Sequence, residues 1–411
     1  MDKIDVLVHK AVFAESDKEK QQARKKIRKL AKEQNILPAS IHNFYTAIGT
    51  NTISHNFTVP AINIRALTYD TARVIFSLMI QQNIGPVIFE IARSEIGYTA
   101  QRPDEYAIVV LAAAIKEGYK GTVFLQGDHI QFSARRYKEE PQEETEKIIA
   151  LVDEAIDAQF FNIDIDASTL VDLSKTPFDL QQKANYIVTA ALTDHIRKKQ
   201  PKDMVISIGG EIGHIGGKNS TPEDLVAFME GYKKLIGQKI GISKISVQTG
   251  TTHGGIPLSD GHMAEVKIDF DVIAKIGDLA KTRYKLGGVV QHGASTLPPE
   301  LFGEFPKHNA LEIHLATGFQ NIVYDGLPKE LLSEMYAWVE ENCNNEWEEG
   351  WTKEQFIYKL RKKALGPFKK RMWELPSEQK EPIIARLREQ FVMLFEKLNV
   401  FNTRDLLTLY V

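Results

Sequence analysis

Four segments of this chain break from a short apolar run into Gly, Asp, Ser or Thr, and each carries an imidazole or a carboxylate at the break. They are Phe124-Leu-Gln-Gly-Asp128-His129, Ile206-Ser-Ile-Gly-Gly-Glu211-Ile-Gly-His214, Val247-Gln-Thr-Gly-Thr-Thr-His253-Gly254 and Val289-Val-Gln-His292-Gly293-Ala-Ser295-Thr296. Three imidazoles delivered from separate strand ends, with a fourth position left open, describe a catalytic rather than a structural divalent-metal site, and zinc suits them. His129, His253 and His292 are the candidate ligands. Asp128, next to one of them, reads either as a base beside the cation or as a carboxylate that orients a histidine.

The elements that must position these residues read as strands alternating with helices. Candidate strands are 59–64, 86–91, 122–126, 160–165, 204–208, 244–248, 288–291 and 310–315, as apolar, buried parallel strands. Helical patterns cover 69–82, 103–117, 143–158, 179–199, 221–236, 269–281, a short 299–305 and 329–342. Eight such pairs predict an α/β fold, a (β/α)8 barrel over residues 46–345, since no Gly-x-Gly-x-x-Gly turn follows the first strand as an open dinucleotide-binding sheet would favour. The histidines then follow the third, sixth and seventh strands, and Glu211 the fifth, on the face where barrels place their chemistry. Loops after the seventh and eighth strands, with Ser295, Thr296 and Thr317, are placed to hold a phosphate through hydroxyl and backbone N–H groups. Asp166 ends the fourth strand and either joins the site or orients its neighbours.

Residues 1–45 read as a helical extension. Its basic stretch (Lys18, Lys20, Arg24, Lys25, Lys26, Arg28, Lys29, Lys32) is expected to be a solvated face packed along Ile27 and Leu30. Residues 346–411, rich in aromatics and then periodic, read as a C-terminal helical extension packed on the barrel or on a second subunit. A net charge of −3 gives no reason to expect nucleic acid or a membrane surface as a partner. The single Cys343 excludes an internal disulfide framework and Cys-rich zinc modules. With no basic-then-apolar leader pattern and no run of membrane-spanning length, the expected location is the cytoplasm.

In order along the chain, these motifs resemble the class II, metal-dependent ketose-bisphosphate aldolases that act on fructose or tagatose bisphosphate. Val59-Pro-Ala-Ile-Asn63 is similar to the family's first strand, Gly127-Asp128-His129 to its Asp-His pair, and Ile163-Asp-Ile-Asp166-Ala-Ser168 to its Ile-Asp-Gly/Ala-Ser strand. Gly210-Glu211-Ile-Gly213 with Gly216-Gly217 resembles its Glu-x-Gly loop, and His253-Gly254 and His292-Gly293 its remaining zinc histidines. The resemblance implies a zinc-dependent lyase for aldol cleavage or condensation of a phosphorylated ketose through a metal-stabilised enediolate. It implies Asp128 as acid/base, Glu211 near the metal, and His129, His253 and His292 as zinc ligands. Asn63, Asp166, Gly254, Gly293, Ser295, Thr296, His314 and Thr317 are then the substrate or phosphate contacts, in a homo-oligomer, dimer or tetramer. The chain departs from the family at His292-Gly-Ala-Ser-Thr, at Gly255-Ile-Pro-Leu, and on the last strand, where His314 and Ala316 replace Asn and Asp. Those departures leave a metal-dependent ketose epimerase as the rival reading. A non-catalytic partner subunit is a third, against which the intact Asp128, His129, His253 and His292 argue.

Overall fold

Eight parallel strands close on themselves in the computed structural model, which describes residues 3–213, 218–250 and 268–410. They are β2 (Val59–Asn63), β3 (Ile88–Ala92), β4 (Gly121–Gln131), β5 (Asn162–Asp166), β6 (Ser207–Glu211), β7 (Lys244–Val247), β8 (Val289–Gln291) and β9 (Glu312–Leu315). Each pairs with its successor and β9 returns to β2, giving a (β/α)8 barrel with helices between the strands. All eight strands expected from the sequence are present.

A ninth strand, β1 (Ile36–Ala39), lies in the stretch read as wholly helical. Its origin is the length of β4. That strand pairs with β5 only from Gln126 onward, so its edge at Gly121–Phe124 is open, and β1 fills it in parallel register. The Asn162 side chain sits at the junction, donating to the carbonyls of Ala39 and Leu125 and accepting from the Ile41 N–H. A helix at Thr317–Gly326, absent from the expected set, starts directly after β9.

The barrel strands are not the uniformly apolar runs the sequence suggested. They alternate: Ile163, Ile165, Ile208, Ile245, Val247, Ile313 and Leu315 are buried toward the helices, while the intervening residues point inward. Inside, the fully buried Lys244 reaches across the barrel to Asp164 Oδ2 (2.9 Å), Glu312 Oε1 (2.5 Å) and Gln126 Oε1 (2.7 Å). The Tyr45 hydroxyl donates to Glu312 from below. Gly209 leaves room for this group: a Cβ there would meet Asp164 Oδ1 at 2.4 Å and Lys244 Cε at 3.1 Å. Gly209→Ala is therefore expected to cost about 1–3 kcal/mol of stability in denaturant unfolding. An unchanged midpoint would show that the interior is looser than these distances require.

The extensions brace the barrel. Helices Lys3–Phe13 and Asp17–Glu33 pack beside helix Pro103–Glu117, the second of them capped by the Ser16 hydroxyl. Arg24 and Arg28 of the basic stretch turn inward onto Asp104, at 2.9 and 2.6 Å, and Arg24 also reaches Glu105. The C-terminal helix Ser377–Lys397 lies on helices Thr68–Gln81 and Thr317–Gly326 of its own barrel. Farther back, the Gly366 N–H bonds the Tyr98 carbonyl and draws the turn Arg361–Ala364 to the open end of the barrel. Among the described residues no helix is long and apolar enough to cross a membrane.

Candidate active site and metal centre

Asp128 and His129 lie within β4, which runs on to Gln131, and not beyond its end as expected. The register against β5 shifts between Gly127 and Ile130, and His129 adopts a positive φ of 38°. Regular pleating would send adjacent side chains to opposite faces; the irregularity turns both toward the barrel mouth. There His129 Nε2 and His292 Nδ1 lie 3.9 and 4.0 Å from Asp128 Oδ1. His292 directly follows β8 and precedes Gly293, whose φ of 72° is the left-handed turn that glycine permits at no steric cost.

Both oxygens of Asp128 are held. Asn63 Nδ2 donates to Oδ2 and the His314 ring lies against Oδ1, each at 3.0 Å. His314 is fixed in turn by Glu312 (2.6 Å) and Glu90 (3.1 Å). Around His129, Nδ1 meets Asp166 at 3.0 Å and Glu211 at 3.3 Å. Asp166 is itself anchored by the Ser168 N–H and hydroxyl and by Gln131. The structure thus places Asp166 behind His129, where it sets the ring orientation, and outside the cavity wall.

The electrostatics follow from burial and crowding. Burial, reinforced by Asp166, pushes the Glu211 carboxyl up to about 7 despite the opposing pull of His129. Burial alone would lower His129, but Asp128, Glu211 and Asp166 outweigh it and hold the imidazole well above its ordinary value. For His314 the same opposition is won by Glu90 and Asp128. Carboxylates this concentrated and this dry call for a counter-cation. The donor atoms of His129, Glu211 and His292 all lie within 4.8 Å of one another, and two imidazoles with a carboxylate are a donor set that suits zinc and neighbouring divalent ions. The residues present fit a metal. His253 and Gly254, together with His214, Gly216 and Gly217, lie outside the described residues.

Above the cluster opens a cavity of about 680 Å³. Asn63, Asp128, His129, Glu211, His292, Gly293, Ser295, His314 and Thr317 line it, so the sequence brought most of the expected set to one place. Thr296 does not line it. Ser295 Oγ accepts the Gly318 N–H and Thr317 Oγ1 accepts from Arg65, so the loops after β8 and β9 are tied to each other and to β2. Sequence reasoning missed Arg65, Arg93, Arg136 and Lys362 on the cavity wall, and Glu90, Lys244 and Glu312 beneath it. For the last group a signal existed: the polar phase in Glu312-Ile-His314-Leu and Lys244-Ile-Ser246-Val is the inward face of a barrel strand.

A closed parallel barrel with an imidazole and carboxylate cluster at the C-terminal ends of its strands defines an enzyme scaffold of the metal-dependent kind. The family described as fructose-bisphosphate aldolase class-II matches residues 45–381, and the chain belongs to it. No curated protein matches the sequence. Among solved structures, the fructuronate-tagaturonate epimerase UxaE from Cohnella laeviribosi aligns with a TM-score of 0.59 at 11% identity, over 92% of this chain and 86% of its own. A probable tagatose 6 phosphate kinase from Sinorhizobium meliloti 1021 gives 0.57 at 15%, over 86% and 90%. Fructose-bisphosphate aldolase from Campylobacter jejuni gives 0.51 at 17%, over 90% and 97%. At such identities the likeness is one of fold.

Proposed function

We propose that the protein is a zinc-dependent aldolase that cleaves or forms a carbon–carbon bond in a phosphorylated ketose. The observation that carries this reading is the Asp128 carboxylate, clamped through both oxygens and set beside the His129, His292 and Glu211 cluster on the cavity floor. His129 and His292, with Glu211 beside them and with His253 as the resemblance implies, would hold the ion, which would supply Lewis-acid stabilisation of charge developing on substrate oxygens. Asp128 accepts the proton of the substrate hydroxyl in cleavage and returns it in condensation. Glu211, on the cavity wall beside His129, handles the proton of the donor carbon. Gly293, Ser295 and Thr317 receive the phosphate. The family match supports the scaffold and the phosphorylated-sugar chemistry.

The test is metal removal with product analysis. Exhaustive chelation is expected to abolish cleavage of phosphorylated ketoses and zinc to restore it, with triose and tetrose fragments as products. Activity that survives demetallation, or is trapped by borohydride, rules the scheme out. One observation favours a second reading, epimerisation: Asp128 and Glu211 line one cavity from different strands, β4 and β6, and a proton taken from a carbon by one can be returned by the other. A second ketose appearing in place of fragments would select it.

A further inference from the structure

The barrel strands do not supply the whole cavity. One wall carries Lys362, from the turn Arg361–Ala364 in the C-terminal segment, and Arg65, two residues past the end of β2. We propose that Lys362 and Arg65 together form an oxyanion subsite that takes the terminal phosphate or carboxylate of a sugar. The inference rests on the sugar-directed reading above for the identity of the ligand, and on the cavity wall alone for the existence of the site.

Arg65 is fixed in place. Its Nε meets Glu95 Oε1 at 2.7 Å, and its Nη1 donates to Thr317 Oγ1 (3.2 Å) and Gln320 Oε1 (3.1 Å). Glu95 also accepts the Ala92 N–H, so this single carboxylate is already shared. Lys362 lies over the Tyr98 ring, its ammonium 5.6 Å from the ring centroid, with no carboxylate partner among the described residues. Its neighbours are otherwise employed: Lys363 pairs with Glu346, Lys359 covers Trp351, and Lys369 pairs with Glu105 at 2.7 Å. Two cations therefore stand on one half-buried wall, Arg65 paired with Glu95 and Lys362 in no ion pair among the described residues. Burial, and then the positive charge of Arg65, hold the Lys362 ammonium below its ordinary range. An oxyanion bound here would give the Lys362 ammonium the partner it lacks, the planar guanidinium of Arg65 giving direction and the ammonium a point charge. Thr317, at the start of helix Thr317–Gly326, adds its hydroxyl to the same wall.

The experiment is calorimetric titration of the full-length protein, at fixed metal content, with inorganic phosphate and separately with glucuronate. Lys362→Met is expected to weaken one of them about tenfold or more, the loss of a charge-assisted contact, while Lys362→Arg restores binding and Lys363→Met leaves it unchanged. Dependence confined to the phosphate arm assigns phosphorylated sugars; dependence confined to the glucuronate arm assigns sugar acids. The proposal is overturned if the wild-type chain binds neither ion, if Lys362→Met binds as wild type does, or if Lys363→Met weakens binding equally. Because binding is read without turnover, a failure of the aldolase assay leaves this result standing, and the converse holds.

Discussion

Asp128→Asn is expected to lower kcat roughly 10²–10⁴-fold, the range for loss of a general acid/base, while the protein keeps its fold and its metal. The amide is isosteric with the carboxylate. Its oxygen can still accept from Asn63, and its NH2 can face His314 once that ring is neutral, so both clamps survive. What disappears is the capacity to take a proton within reach of the His129 and His292 rings. The contrasting variant is Asp166→Asn. Asp166 touches Nδ1 of His129 from behind and does not line the cavity, so its loss is expected to weaken metal affinity roughly 10–100-fold and to be reversed by excess zinc. Elemental analysis beside steady-state kinetics separates the two. If Asp128→Asn loses metal in step with activity, the carboxylate orients a ligand and the proton must be moved by another group.

That pair of variants also marks where the sequence was informative. The polar breaks at Asp128-His129, Glu211 and His292 were legible because a buried strand leaves few reasons for an imidazole or carboxylate beside glycine. The eight-strand alternation gave the barrel with its strands in the right order, though Asp128 and His129 lie inside β4 and not past its end. The residues beneath the site are not legible in this way, because an apolar outward phase alone is enough to mark each strand and says nothing of what fills the inward one. Lys244, Glu312 and Glu90 occupy the inward phase of the strands, which a parallel barrel surrounds with backbone and which here is filled by polar groups paired with one another, Lys244 with Asp164 and Glu312, Glu90 with Gln126. The β4 irregularity is a register shift against β5, set by a pairing between distant stretches, and nothing in Gly127-Asp-His129-Ile announces it. Lys362 stands nearly three hundred positions from Arg65, and only the return of the C-terminal segment, pinned by Gly366 to Tyr98, brings them to one wall. No pattern within either stretch announces the other.

The largest stability effect is expected from Lys244→Met. The side chain is fully buried and its ammonium is the partner of both Asp164 and Glu312, so truncating it to an isosteric thioether strands two carboxylates in the barrel interior. Breaking a buried pair in this way costs about 3–5 kcal/mol, because the remaining charge is uncompensated. The pH dependence has a definite sign. Burial would raise Glu312, but Lys244 and His314 overcome it and bring the group down to about 2. A carboxyl lowered on folding contributes stability that is complete above its unfolded value near 4.5 and is lost as the pH falls toward 2. The deficit of Lys244→Met against the wild type should therefore be widest near neutrality and should narrow as Glu312 becomes protonated in both. Adding Glu312→Gln and Asp164→Asn to Lys244→Met removes the stranded charges, and urea unfolding is expected to show most of the stability restored. Activity should not follow it back. Glu312 meets His314 at 2.6 Å as an anion. An amide there keeps the hydrogen bond but withdraws one of the charges that hold the ring protonated against Asp128, so the neutral interior folds while the clamp on the base is weakened. A triple variant as unstable as the single one would show that packing around Lys244, and not the pairing of its charge, sustains the barrel interior.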